Sequence, residues 1–257
     1  MGFLTDITTT IRDQLVEQPL DVAALRVEAA AAPPARSLAS ALRSRTPSVI
    51  AEIKRCSPSA GDIANPDPQE QAQAYEEAGA VAISVLTEPE HFLGSLEDLR
   101  TVRAVTDLPI LRKDFLVDVS QVVEARAAGA DAVLLITACL SDRELIAMLD
   151  ATAQWGMEAL VETHRSADLR RALATDAQII GVNARDLETL EVDPERALAQ
   201  LARVPRDRIA VMESGIATRA QVVAAVKAGA SGILIGEALM RAADPARTLR
   251  QLTGQEQ

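Results

Sequence analysis

From Val49 onward the chain alternates short apolar runs with amphipathic segments, and this alternation limits it to very few folds. Eight runs read as strands: Val49–Lys54, Ala80–Leu86, Pro109–Lys113, Ala132–Thr137, Met157–Glu162, Gln178–Asn183, Ile209–Met212 and Gly232–Ile235. Helical patterns begin between and after them, near Asp67, Leu96, Ser120, Asp142, Ser166, Pro194, Arg219 and Glu237. A unit every ~20–30 residues is the spacing of a strand–helix repeat. Runs such as Val133-Leu134-Leu135-Ile136 lack polar alternation, as parallel strands covered on both faces do.

An internal echo supports the repeat. Ala78-Gly79-Ala80, Ala128-Gly129-Ala130 and Ala228-Gly229-Ala230 each place a glycine where a helix must end and a strand begins at once. No linker interrupts residues 49–250. The expected architecture is one α/β domain spanning residues 1–257, a (β/α)8 or TIM barrel over 47–250 with an N-terminal helical extension over 1–46. In that extension, apolar spacing predicts helix over residues 3–31, Pro33-Pro34 breaks it, and Ser37 caps a further short helix. A doubly wound sheet is the alternative, but no Gly-x-Gly-x-x-Gly follows the first strand.

Composition agrees with a barrel. Hydrophobic residues make up 48% and aromatics only 2%, so the core must be aliphatic, as barrel layers require. A net charge of −11 disfavours nucleic acid as a partner, although a small anion can still bind where donors converge. Two cysteines with neither disulfide nor metal-ligand spacing fit a reducing cytoplasm, and two histidines are too few for a histidine-rich metal site. No basic-then-apolar leader opens the chain, and no apolar run is long enough to span a membrane, so no membrane association is expected.

In such a barrel function sits at the C-terminal ends of the strands. Polar residues recur there: Glu52 and Lys54, His91 and Phe92 after strand two, Lys113 with Phe115, Glu162, Asn183 with Arg185, and Glu213-Ser214-Gly215. Glu52 and Lys54 lie two apart and share a strand face. Alone they also fit a structural ion pair, but a whole rim of such groups suits acid–base chemistry. Gly215 after strand seven and Gly236 before a short helix occupy the usual phosphate position of these barrels, or are simply turn glycines.

Ile50–Ser59 (IAEIKRCSPS), Leu111-Arg112-Lys113-Asp114-Phe115, Leu160-Val161-Glu162, Gly181-Val182-Asn183-Ala184-Arg185 and Glu213-Ser214-Gly215 together resemble the indole-3-glycerol phosphate synthases. The resemblance covers nearly the whole chain. It implies a small-molecule substrate, the anthranilate-derived sugar phosphate 1-(2-carboxyphenylamino)-1-deoxyribulose 5-phosphate, and loss of carbon dioxide and water without a cofactor or metal. It implies Lys113 as general acid, with Lys54, Glu52 and Glu162 sharing the later acid and base steps. Asn183, Glu213, Ser57 and Arg185 would hold the substrate, Phe92 and Phe115 would flank its ring, and Ser214, Gly215, Gly236 and Glu237 would line the phosphate site. The Glu237 side chain must then turn away from the anion. Ala184, Ala60, Glu237 and Asp118-Val119-Ser120 depart from the family pattern, none at a proposed acid or base. Phosphoribosylanthranilate isomerase, another phosphate-binding barrel, needs a Cys–Asp pair at matching strand ends, which is missing. A catalytically silent barrel would not need Lys54, Lys113 and Glu162 together. A monomer is expected.

Overall fold

In the computed structural model, which describes residues 2–255, eight parallel strands close into a barrel. They are β1 (Ser48–Ile53), β2 (Ala82–Leu86), β3 (Ile110–Lys113), β4 (Ala132–Ile136), β5 (Glu158–Thr163), β6 (Ile179–Asn183), β7 (Ile209–Glu213) and β8 (Gly232–Ile235). Each pairs with its sequence neighbours, and β1 pairs with β8 to close the ring. All eight predicted runs are strands; the eighth coincides with its prediction and the others differ by one or two residues at their ends.

Strand side chains alternate between two clusters. Ile50, Leu111, Leu134, Leu160, Ile179 and Val211 fill the interior. Val49, Ile83, Val133, Val161, Ile180 and Ile233 face outward into a second cluster shared with the helices. With both faces covered, no strand needs polar alternation, which is why the runs read as continuous apolar stretches. The outer helices are α4 (Pro68–Glu77), α5 (Leu96–Arg103), α6 (Val119–Ala127), α7 (Asp142–Gln154), α8 (Ser166–Leu173), α9 (Pro194–Leu201) and α10 (Arg219–Lys227). The echo glycines end three of them with positive φ: Gly79 (90°), Gly129 (94°) and Gly229 (112°).

The extension forms α1 (Phe3–Glu17), α2 (Val22–Ala31) and α3 (Leu38–Arg43), the last capped by Ser37 as expected. Helix α3 plugs the N-terminal end of the barrel. Leu38 and Leu42 are fully buried in the interior cluster, and the Glu158 carboxylate accepts hydrogen bonds from Ala39 N (2.7 Å) and Ser37 Oγ (2.9 Å). Helix α2 lies along α6. Helix α1 crosses the opposite, C-terminal rim, where Leu4 and Ile7 pack in one cluster with Phe115 and Ile136. Arg12 pairs there with Glu144 at 3.0 Å.

Three features depart from the sequence reading. The helix expected over residues 3–31 is interrupted at residues 18–21, where Pro19 disfavours helix at Gln18 and Asp21 caps a new one. The loop after β1 contains a small ribbon, Cys56–Ser57 against Gly61–Asp62. The helix starting at Glu237 is not the eighth outer helix but a single turn, α11 (Glu237–Met240). The outer position belongs to α12 (Pro245–Thr253), begun by the Asp244 cap and Pro245, an N-terminal signal the sequence did carry. No helix among the described residues is long and apolar enough to cross a membrane.

Candidate active site

The C-terminal mouth of the barrel opens into a pocket lined by Glu52, Lys54, Ser57, Phe92, Lys113, Asn183, Arg185, Glu213, Ser214, Gly215, Gly236 and Glu237. Twelve of the fourteen residues singled out from the sequence therefore meet in one place. Its volume, ≈ 110 Å³, is smaller than the ≈ 530 Å³ cleft between α1 and the loop after β2. That cleft's buried polar groups are already paired, Arg112 with Asp114 (2.9 Å) and Glu124 (2.8 Å). The mouth instead holds charged groups poised against one another.

Register sets this arrangement. Inward-facing positions at the strand ends bring Glu52, Lys113, Glu162, Asn183 and Glu213 around one axis, with Glu213 beside Asn183 and Glu162 beside Gly181 in the ladder. Lys54 Nζ lies 2.9 Å from Glu52 Oε1, so the two do share a face. Lys113 Nζ lies 3.3 Å from Glu162 Oε2 and 3.8 Å from Glu213 Oε2. Asn183 Nδ2 donates to Glu162 Oε1 (3.1 Å), while Asn183 Oδ1 accepts from Arg185 N (2.9 Å), which fixes the amide's orientation.

Two glycines make room for these carboxyls. A Cβ on Gly181 would lie 2.1 Å from Glu213 Oε1, and one on Gly236 would lie 2.2 Å from Glu52 Oε1. Gly236 is therefore required by Glu52 packing as well as by any ligand. Neither glycine could be given that reason from the sequence, since both partners lie on other strands.

Burial alone would lower the pKa of Lys113, but the carboxylates of Glu162, Glu213 and Glu52 outweigh it and hold the ammonium above its ordinary range. Burial would raise Glu162, yet Lys113 and His164 keep it below the usual carboxylate range. Glu213 is pushed well above that range, first by burial and then by the negative charge of Glu162. Neither oxygen of Glu213 accepts a hydrogen bond from a protein donor. The two carboxyls are thus driven apart, Glu162 toward the charged form and Glu213 toward the neutral one.

Glu162 and Phe115 do not line the pocket. Glu162 is fully buried beneath Lys113 and Asn183. Phe115, 5% exposed, stands behind Phe92 with ring centroids 6.1 Å apart. Phe3 of α1 packs edge-on against Phe115 and His91, so all three phenylalanines of the chain gather at this rim. Phe3 went unnoticed in the sequence because nothing there places α1 over the mouth. Leu187 and Leu190, also in the lining, sit in a loop with no distinguishing pattern.

On the opposite side, Ser214 (φ 63°) and Gly215 (φ 72°) are consecutive left-handed residues. For Ser214 that conformation costs about 1–3 kcal/mol, which marks the turn as a built feature. The Glu237 side chain lies at the pocket edge, near Arg241 Nε (3.2 Å) and Arg185 Nη2 (3.8 Å). With α11 only one turn long, an anion there would meet backbone N–H groups rather than an extended helix dipole.

Likeness to known proteins follows the same lines. A family-wide sequence profile described as Indole-3-glycerol phosphate synthase matches residues 4–252. A protein of that description from a Nocardioides species is 48% identical over the full length of both chains. One from Micrococcus luteus is 47% identical over 97% of this chain and 96% of its own. Among solved structures, 3-hexulose-6-phosphate synthase from Salmonella typhimurium superposes with a TM-score of 0.66 at 16% identity, covering 80% of this chain and 97% of that one. A chain of the Pyrococcus furiosus tryptophan synthase complex does so at 0.60 and 18% identity, over 80% of this chain and 98% of its own. These distant structures establish the barrel alone. The profile and the near-half identity along whole chains go further: the protein belongs to the indole-3-glycerol phosphate synthase family, carbon–carbon lyases of the carboxy-lyase type.

Proposed function

We infer that the pocket closes the indole ring of 1-(2-carboxyphenylamino)-1-deoxyribulose 5-phosphate, releasing carbon dioxide and water to give indole-3-glycerol phosphate. One observation carries this reading: Lys113 stands on the pocket floor, its charge secured by the buried Glu162 and flanked by Glu213. The ring carbon bearing the carboxylate attacks the ribulose ketone, and Lys113 donates a proton to the carbonyl oxygen as it gains charge. Carbon dioxide then leaves, and its bonding electrons remain in the ring system.

Loss of water needs an acid at the departing hydroxyl and a base at the adjacent carbon. Lys54, paired with Glu52 at 2.9 Å, suits the acid. Glu162 suits the base, reached when Lys113 turns from it toward the substrate oxygen. No step changes an oxidation state that protons and carbon dioxide do not balance, so the residues suffice without a cofactor. Ser57, Arg185 and the turn at Ser214-Gly215 face the phosphate end, with backbone at Gly236-Glu237. Phe92, backed by Phe115 and Phe3, faces the aromatic ring. The exposed large apolar residues (Val16, Val27, Leu93, Val119, Ile146 and Val192) each lie on a different element or loop, which favours a monomer, and the two free thiols favour the cytoplasm.

Incubating the purified protein with this substrate should yield the indole absorption spectrum together with one equivalent of carbon dioxide. Tight binding without product would instead make it a silent sugar-phosphate barrel.

A further inference from the structure

His164 is one of two histidines in the chain, and the proposed reaction assigns it no step. It follows Glu162 by two residues, the spacing that sets Lys54 beside Glu52. The side chain is 4% exposed, and Nε2 lies 3.0 Å from Glu162 Oε1. The approach is close but oblique, and neither ring nitrogen has a well-aligned hydrogen bond. A buried imidazole with both nitrogens unsatisfied is costly unless it serves its neighbour.

The surroundings leave Glu162 as that neighbour. His164 is absent from the pocket lining and does not meet the substrate. It borders a separate cleft with Leu4 and Ala138, where Arg165 is paired with Asp186 at 3.1 Å and Asp168 accepts from Arg165 N at 2.9 Å. Gln200 Nε2 holds the backbone carbonyl of His164 at 2.8 Å, so the chain is anchored there without the ring. Glu162 Oε1 thus has Asn183 on one side and His164 on the other, while Oε2 has Lys113. Glu213 has no comparable donors.

We propose that His164 is a positioning residue: its Nε2–H orients Glu162 and keeps the proton shared with Glu213 off Glu162, so that Glu162 remains the base. This rests on Glu162 acting as base, as inferred above. Without the donor, Glu162 and Glu213 compete for the proton on more equal terms, and a smaller fraction of the enzyme holds its base ready. Substrate contacts are unchanged, so the loss falls on turnover rather than binding.

Three substitutions test this. His164→Phe keeps ring volume and removes the donor. His164→Asn keeps polarity but its amide reaches only the Nδ1 position. His164→Gln reaches the Nε2 position. Phe and Asn variants should lose about tenfold or more in kcat with KM within about twofold of the parent, and Gln should recover most of it. A kcat unchanged in the Asn variant, or a Gln variant as slow as Asn, overturns the proposal. Because Asn and Gln are both polar, the comparison stands even if the Phe variant fails to fold. Glu162→Gln is run alongside: if it keeps parental turnover, the role given to Glu162 is wrong, whereas a dead Glu162→Gln with an unaffected His164→Asn rejects the role of His164 alone.

Discussion

The reacting centre is a small set of charges whose states depend on one another. Lys113 keeps its proton at the partly buried pocket floor because the acidic side chains of Glu162, Glu213 and Glu52 surround it. Lys113→Ala should therefore lower turnover by about 10²–10⁴ while leaving the barrel folded, as loss of a general acid does. Circular dichroism would confirm the fold, and a rate within a few-fold of the parent would remove Lys113 from the mechanism. The same substitution strips Glu162 of its counter-charge, so some stability is lost too. Lys113→Met keeps the stem's packing, and agreement between the two variants separates chemistry from folding.

At the scale of elements, the barrel's two ends have different tasks. The N-terminal end is filled by α3, with Leu42 wholly buried against Gly232, where an added Cβ would lie 2.6 Å from Leu42 Cδ2. Leu42→Ala should destabilise the protein by about 2–5 kcal/mol in urea unfolding and leave KM unchanged. An altered KM would mean that the plug communicates with the mouth. The C-terminal end carries the left-handed turn at Ser214-Gly215, the phosphate site proposed above. Removing the phosphate from the substrate should lower turnover as well as affinity, because anchoring energy positions the ring and ketone. A dephosphorylated substrate that only raised KM would limit the phosphate to capture. Gly236→Val is a poor probe of this element, since its side chain would strike Glu52. Gly215→Val is better placed: its left-handed backbone (φ 72°) disfavours a branched residue directly, and KM should rise.

For the molecule as a whole, the site is a cost to stability. The pKa of Glu213 is raised in the folded state by burial and by Glu162, whereas in the unfolded chain the group ionises near its ordinary value. Its contribution to stability is therefore complete below that ordinary value and declines as pH rises from there toward the folded pKa. Glu213→Gln abolishes the titration. The variant should melt above the parent at neutral pH, the gap should shrink as pH falls toward about 4.5, and activity should drop. A gap independent of pH would show that Glu213 is not protonated in the fold. Asp98 has the opposite sign. Burial is outweighed by its bonds to Arg55 and Ser95, so its pKa is lowered and its contribution is lost only as pH falls through that depressed value.

The sequence by itself determined the barrel, because apolar runs, capping residues and glycine stops are local signals that neighbouring residues read. It also placed Glu52, Lys54, Lys113, Asn183 and Glu213 at strand ends, since position along a strand is a matter of counting. Tertiary structure alone decided which of these groups touch. Ring closure between β1 and β8 sets Gly236 against Glu52, and β6 beside β7 lets Gly181 admit the Glu213 carboxyl. It put Glu162 below the floor rather than on it and brought Phe3 across the rim from a helix some ninety residues before its ring partner at His91. Contacts of that kind depend on packing between segments far apart in the chain, and no local pattern encodes them. The pairing of His164 with Glu162 lies between the two cases: the two-residue spacing was legible, but only burial made the pair matter.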